Sequence, residues 1–153
     1  MLLFFGIPLA VVFGDGALKS CARRKLSDGR TKRLAKGHIL LRLFCNPGVA
    51  LGIFKKHPRA VLAVHGGLLC ATAGASVCLF GHPGKTAAKT GLALMLGGGA
   101  GNFLDRLRQG FVTDYVSFDF GPRFTRLKKI VFNCSDFCVF AGAVLLVLGV
   151  EEL

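Results

Sequence analysis

Gly97-Gly98-Gly99-Ala100-Gly101-Asn102-Phe103-Leu104-Asp105-Arg106, continuing through Gly110 to Asp114, closes a long apolar run and opens onto polar chain. Phe132-Asn133-Cys134-Ser135-Asp136 does the reverse, opening the next apolar run. Both stretches bring carboxylates and amides to the edge of hydrocarbon. A charged group is costly there, so the pattern marks a polar site set in a membrane protein.

Working outward, apolar runs cover roughly residues 2–18, 60–80, 86–103 and 130–150, separated by basic loops. With 52% hydrophobic residues and a mean hydropathy of +0.56, the chain reads as a small polytopic membrane protein. The expected fold is therefore membrane all-α. It has four transmembrane helices in a single domain over 1–153, with a short extended segment and an amphipathic surface segment on the active-site side. The net charge of +12 sits in the loops, which favours anionic headgroups over nucleic acid as the partner.

The first run, Leu2 to Leu18, is marginal for a crossing unless it takes in Asp15, which then lies near the helix exit. A secretory signal is the alternative, but the basic n-region and a small-x-small cleavage site are missing. His38-Ile39-Leu40-Leu41-Arg42-Leu43-Phe44 fits an amphipathic surface segment or a short strand. Asn46-Pro47-Gly48 is a turn by composition. Ala60 to Phe80 is the clearest span, uncharged and rich in small residues that allow close helix approach. Gly84-Lys85-Thr86 has the end of a phosphate loop, but Leu79 stands where its first glycine belongs, so a nucleotide site is rejected. The six cysteines and four histidines show no ligand spacing, which leaves them as ordinary side chains and predicts no metal.

On a helix Asn102, Asp105 and Arg106 fall at i, i+3 and i+4 and share one face. After the break at Gly110, Phe111 to Val116 alternates weakly, which places Asp114 on extended backbone. Asn133 and Asp136 share a face near the start of the last span, where the helix dipole favours a carboxylate. Two aspartates at one membrane face, each beside an Asn, are the parts of an aspartyl peptidase. Repulsion between converging carboxylates leaves one ionised, to take a proton from an attacking water, and one protonated, to polarise the carbonyl. The same residues also suit helix capping, ion pairs with Arg106 or Lys129, or a cation path using Asp15, Asp105, Asp114 and Asp136.

The stretch from Gly98 through Asp105-Arg106 to Gly110 and Asp114-Tyr115 resembles the G-G-A-x-G-N-x-x-D-R-x-x-x-G-x-V-x-D-[FY] signature of lipoprotein signal peptidases, the type II signal peptidases. Phe132 to Asp136 resembles their F-N-x-A-D, and Asn46-Pro47-Gly48-Val49-Ala50-Leu51-Gly52 their N-x-G-x-A-F-G. The resemblance implies a four-helix aspartic endopeptidase of the bacterial cytoplasmic membrane. It would remove signal peptides from prolipoproteins just before a diacylglyceryl-modified cysteine, with its site toward the outer side. Asp114 and Asp136 match the catalytic aspartates, and Asn46, Asn102, Asp105, Arg106 and Asn133 match polar residues around them. The partners implied are diacylglyceryl-modified prolipoproteins and membrane lipids, without nucleic acid, metal or cofactor, and a monomer is expected. An inactive lipoprotein-binding relative would carry the same motifs.

There are departures. Asp15 lies in Gly14-Asp15-Gly16 where the family has a Leu-Asp-Gln-like triplet leading to a lysine, here Lys19; Leu51 replaces Phe and Ser135 replaces Ala. The cations crowd the first and third loops, and only Lys85 and Lys89 fall in the second, so the positive-inside rule points the motif-bearing loops to the cytoplasm. The family resemblance points them outward.

Overall fold

The computed structural model describes residues 2–49 and 54–150. Ala50, Leu51 and Gly52 of the third motif, and Glu151 to Leu153, lie outside the described residues. A π-helical turn, Leu2–Gly6, leads into α1 (Ile7–Leu26), which is followed by β1 (Lys32–Leu34), a 3-10 turn (Ala35–Gly37) and β2 (Ile39–Asn46). Next come α2 (Pro58–Phe80), α3 (Thr86–Gln109), β3 (Val112–Phe118), a second 3-10 turn (Pro122–Phe124), α4 (Thr125–Lys129) and α5 (Cys134–Val150). The fold is mostly helical, but the single extended segment expected from sequence is one edge of a three-stranded antiparallel sheet in the order β1-β2-β3. Of the two readings of the segment 38–44, the short strand is the one found, as part of β2 from Ile39. Its alternation was too short to choose between a lipid surface and a pairing partner.

Burial in this chain is inverted relative to a water-soluble domain. The largest fully buried side chains are Lys19, Asn133, Thr113, Asp15, Asp114, Ser117 and Ser135, all polar, while Phe13, Val64, Leu68, Phe140, Val144 and Val147 are exposed on the helices. Hydrocarbon as the surrounding solvent accounts for both halves of that pattern. By length and hydropathy, two helices suffice to cross a bilayer: Phe4–Leu26, which takes in the end of the π-helical turn, and Pro58–Phe80. The other two expected spans shift. α3 runs past residue 103 to Gln109 and takes up Asp105, Arg106 and Arg108, and the last helix begins at Cys134 rather than 130, leaving an apolar helix of 17 residues. Asp15 likewise sits inside α1, which continues to Leu26, and not at its exit.

α3 is the hub, packing on α1, α2 and α5. Its glycines make this possible. A Cβ at Gly97 would meet Val11 at 2.8 Å on α1, and one at Gly91 would meet the Gly142 carbonyl at 2.5 Å on α5. At Gly98 a Cβ would fall on the Ser135 carbonyl. Close helix approach through small residues is the usual means of association in lipid, where apolar burial offers no driving force. α3 ends at Gly110, whose φ of +79° and N–H bond to the Arg106 carbonyl (3.0 Å) form a left-handed cap that a side chain would strain. The chain then turns directly into β3. Strand β3 pairs with β2, Phe44 opposite Asp114 and Asn46 opposite Val112, across a register irregularity between Leu41 and Phe44. On its other edge Val116 bridges Phe132, through N–H bonds of 2.8 and 2.6 Å. That bridge delivers Asn133 and the start of α5 to the side of Asp114.

Candidate active site

Four elements converge at one end of the bundle. Asp114 is on β3, Asp136 in the first turn of α5, Asn102, Asp105 and Arg106 on the last turns of α3, and Asn46 at the end of β2. Asn133 immediately precedes α5 and caps it reciprocally. Its Oδ1 accepts from the Asp136 N–H at 2.9 Å, and Asp136 Oδ2 accepts from the Asn133 N–H at 3.0 Å. This is the capping-box arrangement with a shorter acid at the third helical position. The capping alternative read from sequence is thus realised, at a residue that also faces the cavity.

Three amides fix the two carboxylates. Asn133 Nδ2 donates to Asp114 Oδ1 at 2.6 Å and to Asn102 Oδ1 at 3.0 Å, and Asn102 Nδ2 donates to Asp136 Oδ1 at 2.8 Å. Asn46 Nδ2 donates to Asp114 Oδ2 at 3.1 Å, while its Oδ1 accepts from the Gly48 N–H. The orientation of the Asn102 amide is set by Lys19, whose ammonium can only donate and reaches Asn102 Oδ1 at 2.8 Å. Burial, reinforced by the Asp136 carboxylate, pushes Asp114 up to about 7, against the Asn46 and Asn133 amides and the Lys19 charge, which pull it down. The ion pairs with Arg106 or Lys129 that were an alternative role for the aspartates are absent among the described residues.

Behind the carboxylates lies a buried charge cluster. Lys19 Nζ meets Asp15 at 2.7 Å and Asp105 at 3.0 Å. Asp15 also accepts from Ser135 Oγ at 2.7 Å and from the Tyr115 hydroxyl at 3.3 Å, and burial holds that phenol far above its ordinary range, so it remains a donor. Asp105 Oδ2 accepts the Thr113 N–H at 3.1 Å, tying the end of α3 to the start of β3. Ser135, a departure from the family pattern, thereby gives Asp15 a partner. Of the residues singled out in the sequence, Asp15, Asn46, Asn102, Asp105, Asp114, Asn133 and Asp136 join one bonded network. Arg106 stands at its rim, donating to the Gly48 carbonyl at 2.8 Å and contacting His65.

Sequence reasoning passed over Lys19, Tyr115 and His65 as site residues. Lys19 carried two signals, its i, i+4 spacing from Asp15 and its place after the family's triplet, and Tyr115 closes the quoted signature; His65 carried none, since its partner is distant in the chain. A cavity of about 450 Å³ adjoins the site, lined by Asp114, Asp136, Asn102 and Arg106 and by apolar side chains that include Val64 and Phe140. Among the described residues no group of three or more His, Cys, Asp or Glu is arranged to hold a metal.

The chain resembles two solved bacterial membrane enzymes determined by the in meso method. Each superimposes with a TM-score of 0.76, one at 21% identity over 97% of this chain and 90% of the other, the second at 23% over 96% and 94%. These establish the fold. The lipoprotein signal peptidase of Pelotomaculum thermopropionicum is 32% identical over 94% of this chain and 89% of its own length. That of Lactiplantibacillus plantarum is 26% identical over 98% and 95%. The family model for signal peptidase (SPase) II matches residues 7–150, and the chain belongs to that family.

Proposed function

We propose that Asp114 and Asp136 are the carboxylate pair with which this signal peptidase II cuts the signal peptide from prolipoproteins, just before a diacylglyceryl-modified cysteine. The observation that carries the reading is the shared amide, Asn133 Nδ2 on Asp114 and Asn133 Oδ1 on the Asp136 backbone, which holds together two acids that both line the cavity. One acid retains its proton near neutral pH, the other is ionised, and the pair titrates as a unit. A water between them loses a proton to the ionised carboxylate as its oxygen attacks the scissile carbonyl. The protonated acid hydrogen-bonds the carbonyl oxygen as negative charge builds there, and a proton then passes to the leaving amine. Arg106, which also lines the cavity, holds a substrate backbone carbonyl, and the apolar walls accept the lipid and the signal segment.

The four long helices span the bacterial cytoplasmic membrane as one domain, with the sheet and the cavity on the outer side, where lipid-modified precursors present their cleavage site. The connected network of Asp15, Asp105, Asp114 and Asp136 at one end of the bundle does not suit a cation path, which needs acids distributed across the bilayer. The test is cleavage of a diacylglyceryl-modified prolipoprotein by the detergent-solubilised protein. Asp114→Asn and Asp136→Asn are each expected to reduce the rate at least 1,000-fold, on the order of other catalytic-residue losses, with the fold retained. Near-normal cleavage by either variant would overturn the assignment.

A further inference from the structure

Beyond the dyad and its amides, Arg106 is set by a side chain from another helix. Arg106 Nη1 lies 3.2 Å from Nδ1 of His65 on α2, and Nη2 donates to the Gly48 carbonyl at 2.8 Å. The third bond, from Nη1 to the Asn102 carbonyl, is long at 3.4 Å, and Nε is buried without a partner. The guanidinium plane is therefore fixed chiefly by His65 and Gly48. A guanidinium donates and cannot accept, so Nδ1 must offer its lone pair and the proton of the neutral ring must sit on Nε2. The ring is also wedged edge-on against Phe103, with centroids 5.5 Å apart and planes at 77°. His65 thus has Nδ1 and its ring edge engaged.

We infer that His65 is the positioning residue for Arg106, a neutral acceptor that aims the guanidinium at the substrate backbone without cancelling its charge. This rests on the peptidase reading for what Arg106 holds. The acceptor's chemistry matters. An aspartate or glutamate at this place would orient the arginine equally well, but would neutralise the cation beside two acids and weaken its pull on a carbonyl oxygen. A neutral imidazole leaves the full positive charge directed into the cavity, which His65 itself helps to line.

The test separates the acceptor from the packing. His65→Phe keeps an aromatic ring against Phe103 and removes the acceptor; His65→Gln keeps an amide oxygen that can accept. For cleavage of a diacylglyceryl-modified prolipoprotein, His65→Phe is expected to raise KM about tenfold with kcat within about twofold, the size expected for losing one directed bond to a charged group. A misfolded fraction would lower kcat instead. His65→Gln should return KM to within about threefold of wild type, and in an Arg106→Gln background His65→Phe should have no further effect. Equal impairment by Phe and Gln, or an undiminished effect in the Arg106→Gln background, overturns the inference. Nitrogen-15 spectra of histidine-labelled protein, assigned with His65→Gln, give a readout independent of activity. They should show the Nε2-protonated tautomer at pH 7, and the opposite tautomer also overturns the inference. A folded wild type that does not cleave would sink the peptidase reading, while the tautomer still decides His65.

Discussion

The Asn46 amide hydrogen bond to Asp114 favours the ionised form of that carboxyl, working against the burial and the Asp136 charge that raise it to about 7. The dyad needs one proton, so the rate should fall as pH rises past about 7 and that proton is lost. Asn46→Leu removes a donor to the charged form, which raises the carboxyl further. The alkaline limb of the kcat/KM profile is then expected to move up by about one pH unit, roughly the worth of one such bond, alongside a loss of rate. An unmoved or lowered limb would show that Asn46 does not govern the titrating group. At this scale the sequence was generous where polar residues bound apolar runs: Asn102, Asp114, Asn133 and Asp136 stood out because each is costly at a hydrocarbon edge. It was silent on His65, a lone histidine in an apolar helix whose partner is 41 residues away.

Among the elements, the crossing of α3 and α5 has the narrowest tolerance. Gly142 approaches the Gly91 carbonyl at 2.5 Å and Met95 at 2.8 Å from where its Cβ would lie. Gly142→Val therefore forces the helices apart, and thermal unfolding in detergent should show a loss of about 1–3 kcal/mol, the usual range for overpacking. Gly14 on α1 has open space around it, and Gly14→Ala should be neutral or slightly stabilising in the same assay. A Gly142→Val protein as stable as Gly14→Ala would contradict this account of the crossing. The helices themselves were legible from their apolar runs, but their ends were not. α3 carries its helical geometry six residues past the apolar run because Gly110, rather than the change in polarity, terminates it. Of the sheet, β3 was legible as an extended segment and β2 as one of two readings, but β1 was not: it has only three residues, all exposed, and offers no alternation to detect.

For the whole molecule, charge count and family topology point the cavity in opposite directions, and Cys45 can decide between them. It is exposed on β2, one residue from Asn46. In a chain with the other five cysteines replaced, Cys45 should react with a membrane-impermeant maleimide added to intact spheroplasts. Labelling only after permeabilisation would put the site on the cytoplasmic side. Chelation is expected to leave cleavage intact; a loss that zinc or magnesium restores would require a metal mechanism. The Asp15–Lys19 pair bears on how such a molecule is made. Both charges belong to α1, one helical turn apart and 2.7 Å from each other. That helix thus carries its own counter-ion. The cations Arg23, Arg24 and Lys25 crowd its last turn, but the stretch from Ile7 to Lys19 is neutral, and it is made long before Asp105, Asn102 and Ser135 emerge to surround the pair. Two of the deepest charges in the enzyme are thus partnered before the rest of their surroundings is made, and the carboxylates proposed to do chemistry arrive later.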